Sequence, residues 1–287
     1  MQVGLNKLMI NIEEFLVILI NDRYISGGML MIQRLNNTHH KKVVEYLHKE
    51  KEVNIFLLSD IERYGYDSYF FSIYGGINED GEIEGILLKC FEFIIFYAYD
   101  KFDVDSFAKF INDSNCEEVC GKSQVLEKLE TKINLQRYRK VNIFKLTNKN
   151  LLPPYTEDNV KLRKIRFGNL NKIVKLYEEI DEFENTTVDN IKSSLKTGRG
   201  YCVEREGKVV SMAKTTSENK NNAMIIGVGT HPKYRNRNYA TKCLIKICNE
   251  LIEENKIPCL FCDNEAASII YKMLGFEKIG YWSIYRR

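Results

Sequence analysis

The sequence predicts an α/β protein on mixed, mostly antiparallel sheets flanked by helices, with the same arrangement built twice. Three observations lead there. Short runs with strand-like alternation are interleaved with segments of helical apolar spacing. The order of these segments over residues 31–150 recurs over 151–287. Between them, Asn148 to Asp158 carries Pro153-Pro154 and reads as a linker. A chain of 287 residues accommodates two ordinary domains, and 44% hydrophobic with 28% charged residues is a globular composition.

In the first half, Met31 to Leu35 reads as a strand, and Thr38 as the cap of a helix carrying Val43, Val44 and Leu47. A second helix is expected near Val53 to Tyr64. Strands follow at Tyr69 to Tyr74, Glu82 to Cys90 and Phe93 to Tyr97, the first two joined by a turn at Asn78-Glu79-Asp80-Gly81. Helices near Val104 to Ile111 and Ser123 to Ile133 flank a strand at Glu117 to Gly121, and Lys140 to Leu146 ends the unit.

The second half begins again with a strand at Val160 to Ile165 and helices at Leu170 to Ile180 and Val188 to Leu195. Strands are predicted at Gly200 to Glu204, Val209 to Thr216 and Ala223 to Gly229, with a hairpin turn at Glu206-Gly207. A long helix over about Tyr239 to Glu254 has Leu244, Ile247, Cys248 and Leu251 as its core stripe. Strand Cys259 to Cys262, helix Ala266 to Leu274 and terminal strands complete the domain. Residues 1–30 are unlike the rest. Leu5 to Asp22 has the pattern of a short amphipathic helix, and Gly27-Gly28-Met29-Leu30-Met31 suggests a translation start at Met31 that would make 1–30 an extension.

Charge narrows the partners. The net charge is +3, but residues 158–287 hold 23 Lys/Arg against 16 Asp/Glu, about +7, leaving about −4 for the first half. A mildly basic half suits a phosphorylated small molecule and is too dispersed for nucleic acid. The apolar run Phe15 to Ile20 is bracketed by Glu13, Glu14 and Asp22 and is too short to span a bilayer, so no membrane association and a cytoplasmic location are expected. The eight cysteines are then expected as reduced thiols. The pairs Cys116/Cys120 and Cys259/Cys262 offer four thiolates, but Cys259 and Cys262 lie three apart in a strand and point to opposite faces, so no metal is expected.

The segment Ile225-Ile226-Gly227-Val228-Gly229-Thr230-His231-Pro232-Lys233-Tyr234-Arg235-Asn236-Arg237-Asn238-Tyr239-Ala240 carries the chemistry. A strand ends, a proline turn follows, and a basic loop opens into a helix. The first amides of a helix lack intrahelical partners and sit at the positive end of its dipole, which suits a pyrophosphate. This segment resembles the acyl-CoA site of the GNAT acyltransferase superfamily, whose fingerprint is R/Q-x-x-G-x-G/A. Arg235 and Ala240 match its ends, while Asn238 replaces the expected Gly and Asn236 stands where Gly is frequent. Asn is the non-glycine residue most tolerant of positive φ. A second block, Asn264-Glu265-Ala266-Ala267-Ser268-Ile269-Ile270-Tyr271-Lys272-Met273-Leu274-Gly275-Phe276, resembles the family's N-x-x-A-x-x-x-Y-x-x-x-G-F ending.

The resemblance implies an acetyltransferase domain over 151–287 and a degenerate GNAT-like domain over 31–150, as in tandem two-domain bacterial proteins of this superfamily. It implies acetyl-CoA as cosubstrate, bound by Val228, Gly229, Thr230, Arg235, Asn236, Arg237, Asn238, Tyr239, Ala240 and Asn264. The Val228 N–H would polarise the thioester carbonyl and Tyr271 would protonate the departing thiolate. The acceptor is expected to be a primary amine of a small molecule or peptide, and the protein a monomer or homodimer. No base is readable, because Ala223 to Gly229 holds no carboxylate; Glu204, Glu182, Glu184 and His231 are the candidates. Asp181, Glu182 and Glu184 would attract a cationic amine. In the first half Asp100, Asp103 and Asp105 occupy the place where a pyrophosphate would sit and oppose its binding. Two readings compete: a CoA-binding sensor without turnover, and an aminoacyl-tRNA-dependent peptidyltransferase, which predicts a broad basic surface.

Overall fold

A computed structural model describes residues 23–25, 30–66, 68–156, 160–183 and 186–287. The predicted helix Leu5 to Asp22 and the candidate base Glu184 lie outside the described residues. The chain folds as two units. The first takes its described residues from Arg23 to Asn142 and from Gly280 to Arg287, and the second from Ile143 to Ile279. The division differs from the expected boundaries at the end of the chain, where strand β13 (Phe276–Arg286) enters the first unit. The reason is pairing: Trp282 to Arg286 lie antiparallel to Lys122 to Glu118, and Trp282, Ile284 and Tyr285 are buried there.

The first unit has strands β1 (Arg23–Ile25), β2 (Met31–Arg34), β3 (Phe71–Ile77), β4 (Ile83–Cys90), β5 (Phe93–Tyr97) and β6 (Glu118–Lys122), in the order β1-β2-β3-β4-β5-β6-β13. All its neighbours are antiparallel except β5 and β6. Arg23 to Ile25, assigned by sequence to an extension, pair with Gln33 to Met31 and form the edge. Helices α1 (His40–His48) and α2 (Ile55–Tyr64) follow β2, and α3 (Val104–Asp113) packs Phe107, Phe110 and Ile111 against Ile94, Phe96 and Tyr285. Thr38 is not the cap it was expected to be. Asn36 takes that role, accepting from the Thr38 amide at 3.0 Å, and a single 3₁₀ turn precedes α1. The helix expected over Ser123 to Ile133 stops after α4 (Ser123–Leu126). Leu126, Leu129 and Ile133 keep their helical spacing and are buried, but successive three-residue turns carry them inward.

The second unit contains the end of β7 (Gln136–Leu146) and strands β8 (Leu162–Lys164), β9 (Gly200–Arg205), β10 (Lys208–Thr216), β11 (Asn222–Thr230) and β12 (Ile257–Cys262), in the order β7-β12-β11-β10-β9-β8. β11 and β12 are parallel and the β8–β11 pairs antiparallel. Strand alternation gives the sheet two apolar faces. Helix α7 (Tyr239–Glu253) covers one through Val203, Ala213 and Ile225; α5 (Leu170–Glu178) and α6 (Val188–Leu195) cover the other through Cys202 and Met212. Helix α8 (Glu265–Met273) follows β12. The β9–β10 hairpin turns on Glu206 and Gly207, both at positive φ, as a two-residue primed turn requires.

Candidate functional site

In the second unit the sheet opens where β11 outruns its pairing with β12. Its parallel pairs with β12 extend only from Asn222↔Ile257 to Ile225↔Leu260. The next five residues of β11 keep β10 as neighbour on one side and leave a fork on the other. The fork begins at a bulge: Lys214 faces Ile226 and Met212 faces Gly229, so two residues, Gly227 and Val228, oppose Ala213 alone. Gly227 has φ 60°, and a Cβ there would lie 2.4 Å from the Tyr177 hydroxyl.

The ladder fixes which backbone groups face the fork. The His231 amide donates to Val210 O at 2.9 Å, so alternation aims the groups of Gly229 at β10 and those of Val228 and Thr230 the opposite way. Consistent with this, Thr230 O accepts from Arg235 Nε at 3.3 Å rather than from β10.

Beyond β11 a 3₁₀ turn, Pro232–Tyr234, leads through Arg235 and Arg237 to α7. Asn236 and Asn238 sit at φ 60° and 57°, so each occupies the left-handed position that glycine usually fills. The first intrahelical bond runs from the Lys242 amide to Asn238 O. The amides of Tyr239, Ala240 and Thr241 donate none, the Asn238 side chain does not cap them, and the first turn holds no acid. This is an anion cradle left open at a fork that exposes strand edge.

The corresponding place in the first unit is closed. β5 runs only one residue, Tyr97, past its last pair with β6, and Gly121 approaches so near that a Cβ would meet Phe96 O at 2.2 Å. Asp103 caps α3, accepting from the Ser106 amide at 3.0 Å and from its hydroxyl at 2.7 Å. A carboxylate of the chain itself occupies the helix start.

The family profile of the GNAT acetyltransferases matches residues 69–285, about three quarters of the chain. The chain belongs to the GNAT acetyltransferase family. The match runs through both units. No curated protein matches significantly. Among solved structures, the GNAT fold recurs in a GCN5-related N-acetyltransferase from Sphaerobacter thermophilus, at TM-score 0.65 and 14% identity over 90% of this chain and 95% of that one. It recurs in a GCN5-related N-acetyltransferase-like protein from Streptococcus suis, at 0.54 and 15% over 87% and 98%. A tandem GNAT protein from the clavulanic acid biosynthesis pathway matches at 0.57 and 10% over 90% and 98%.

The remaining candidates of this GNAT chain are distributed as follows. Asn264 is the N-cap of α8, its Oδ1 accepting from the Ala267 amide at 3.0 Å, so helix capping already accounts for it. Tyr271 is buried against Phe144 and Phe276. Burial, with Cys262 nearby, pushes its phenol above the usual range. Its hydroxyl bonds to no described residue, yet it is not among the sealed, unpartnered polar atoms. Arg235 pairs with Glu182 at 2.9 Å, both side chains about half exposed. The candidate bases among the described residues are all engaged. Glu204 pairs with Arg163 at 3.2 Å and Lys172 at 3.4 Å. His231 Nδ1 accepts from the Lys233 amide at 3.1 Å, which puts the ring proton on Nε2, 3.5 Å from Glu179 Oε2. All eight cysteines are buried and none is in a disulfide, and no cluster able to hold a metal occurs among the described residues. None of their helices is long and apolar enough to cross a membrane.

Two residues escaped the sequence. Arg205, at the end of β9, lies with its guanidinium 5.1 Å from the centre of the Tyr239 ring at the start of α7; nothing local in Val203-Glu204-Arg205 marks it. Lys214 was more legible, as the lone charge in the apolar run of β10. It is buried with Ser194 Oγ as hydrogen-bond partner at 3.0 Å, and burial pushes its ammonium down to about 7. A lysine depressed on folding destabilises the fold most below its folded value, and the penalty fades as pH rises toward the ordinary lysine value. Lys214→Met is therefore expected to raise unfolding free energy at pH 7 by on the order of 3–4 kcal/mol. It should also remove the gain in stability between pH 7 and 10. Denaturant unfolding at several pH values checks both effects; a parent curve flat over that window would contradict the burial cost.

Proposed function

We propose that the chain is an acyl-CoA-dependent N-acyltransferase, carrying acetyl to a primary amine, with its site in the second unit. The observation that carries this reading is the fork past Ile225 and Leu260, with the Val228 and Thr230 backbone groups aimed into it beside the uncapped start of α7. The residues fit an acyl-CoA. Unpartnered amides at Tyr239, Ala240 and Thr241, with Arg235 and Arg237 at the rim, suit a diphosphate. The free edge of Val228 to Thr230 suits the amides of a pantetheine arm, which would pair as an added strand does. When bound, the thioester supplies an activated acyl carbon and a sulfur leaving group.

The chain's own residues then have four tasks. The α7 amides and Arg235 hold the anion, and Arg235 exchanges its Glu182 partner for phosphate. Gly229 and the bulge at Gly227 leave room for the approach. The Val228 N–H donates to the carbonyl oxygen as charge develops there. Tyr271 donates a hydrogen bond to the sulfur. It holds its proton rather than transferring it, because a phenol raised above 10 is a far weaker acid than a thiol near 8.5. With Glu204, Glu182 and His231 engaged, the amine's proton passes to water at the half-exposed mouth of the fork. In the first unit the cap at Asp103 supports a supporting rather than a catalytic role.

The test is release of free thiol from acetyl-CoA in the presence of a panel of primary amines: small polyamines, amino acids, aminoglycosides and peptide N-termini. The reading expects amine-dependent thiol release with at least one class. Tight acetyl-CoA binding with no turnover on any would favour a CoA-binding sensor instead, a reading that draws on the engaged state of the candidate bases.

A further inference from the structure

Arg205 and Arg237 carry charge that the fold does not answer. They approach α7 from different elements, one from β9 and one from the loop. Arg205 lies over Tyr239 and gives Nη1 to Glu204 O at 3.0 Å; Arg237 lies 5.5 Å from the centre of the Tyr234 ring. Both guanidiniums lower the Tyr239 phenol below its usual range, Arg205 the more strongly. Neither forms an ion pair with a carboxylate of a described residue. Glu204 pairs instead with Arg163 and Lys172, and Glu182 with Arg235. Ion pairs of this kind are abundant elsewhere in the second unit: Arg199 alone pairs with Glu218, Glu250 and Glu254. Two guanidiniums beside the start of α7, one over Tyr239 and one over Tyr234, with no carboxylate partner among the described residues, form a site for an anion that is not part of the chain.

Arg205 extends this site beyond the diphosphate cradle, to whose rim Arg237 already belongs. Arg235 belongs to the β11 side, tied to Thr230 O and Glu182, whereas Arg205 emerges from β9 with β10 between. The backbones of β9 and β11 lie two strand spacings apart, about 10 Å. With a diphosphate held at the α7 amides and Arg235, a second phosphorylated oxygen on the same ribose would extend the anion toward Arg205 on the β9 flank. Resting on the acyl-CoA reading above, we propose that Arg205, with Arg237, binds the 3′-phosphate of coenzyme A and makes the chain select CoA over its 3′-dephospho form. The phosphate is the ligand's most concentrated charge, and guanidinium is the group best matched to it.

The experiment compares CoA and 3′-dephospho-CoA by calorimetry on the full chain, for the parent, Arg205→Ala and Arg205→Lys. The parent is expected to bind CoA on the order of tenfold or more tightly, with the ratio shrinking as salt rises. Arg205→Ala should bring CoA down to the level of dephospho-CoA while leaving dephospho-CoA within about twofold, and Arg205→Lys should keep part of the preference. Equal binding of the two ligands by the parent would overturn the subsite and leave the acyl-CoA reading standing. So would an Arg205→Ala loss shared equally by both. Absence of binding for either ligand would overturn both proposals. Thermal unfolding of each variant alone separates misfolding from lost contacts.

Discussion

Deletion of Gly280–Arg287 is expected to unfold the first unit, although these residues stand at the opposite end of the sequence from it. The segment pairs along all of β6, from Trp282 opposite Lys122 to Arg286 opposite Glu118. It buries Trp282, Ile284 and Tyr285 to within a few per cent of complete exclusion. Ser283 Oγ meets Ser123 Oγ at 2.7 Å, and Tyr285 Oη accepts from Arg137 Nε at 3.1 Å. Truncating a buried Trp or Ile costs about 2–5 kcal/mol each, and three such losses reach the 5–15 kcal/mol that holds a domain together. The remaining chain would also leave β6 as an exposed edge. Hydrogen exchange on the truncated chain should show β4, β5 and β6 unprotected. Persistent protection of those strands would contradict the pairing. Trp282→Ala should give an intermediate loss, with cooperative unfolding retained.

Tyr271→Phe carries the second large effect, on rate. Phenylalanine keeps the ring between Phe144 and Phe276 and removes a hydroxyl that bonds to no described residue. Burying an unpartnered hydroxyl does not stabilise a fold, so the variant should be as stable as the parent or slightly more so. If the hydroxyl serves the leaving sulfur, its loss removes a hydrogen bond to a charge that develops only in the transition state. Such bonds contribute about 1.5–3 kcal/mol, so kcat and kcat/KM should fall together by about 10- to 100-fold. Acetyl-CoA affinity should stay nearly constant. Single-turnover rates test this where chemistry limits; parent-like rates would remove Tyr271 from the reaction, and a lower melting temperature would assign it to packing.

How far the sequence reached depended on whether a feature was local. Asn236 and Asn238 depart from the glycines of the family fingerprint, yet asparagine's tolerance of positive φ was enough to anticipate a left-handed loop. Helix α7 announced itself by its apolar stripe, Leu244, Ile247, Cys248 and Leu251. What stayed hidden was set by distant pairing. The crossing of β13 into the first unit depends on β6, more than 150 residues away, and the edge strand Arg23–Ile25 on its partner β2. The Ser123 to Ile133 segment had the right buried residues and the wrong backbone, because apolar spacing records burial and the surrounding core chose turns. The fork was half legible: Gly227-Val228-Gly229 signalled close approach, but only the end of the β11–β12 ladder reveals an open edge. Arg205 reaches the site through the width of the sheet, which no local motif encodes.

Acyl-CoA is expected to occupy the fork of β11 and β12 and the start of α7. Hydrogen exchange of the full chain with and without saturating acetyl-CoA tests it most directly, because the claimed contacts are backbone amides. Slower exchange is expected at Val228 and Thr230 and at Tyr239, Ala240 and Thr241, while the start of α3, capped by Asp103, stays unchanged. Binding that protects other segments and leaves these five amides exchanging as in the free protein would place the ligand elsewhere.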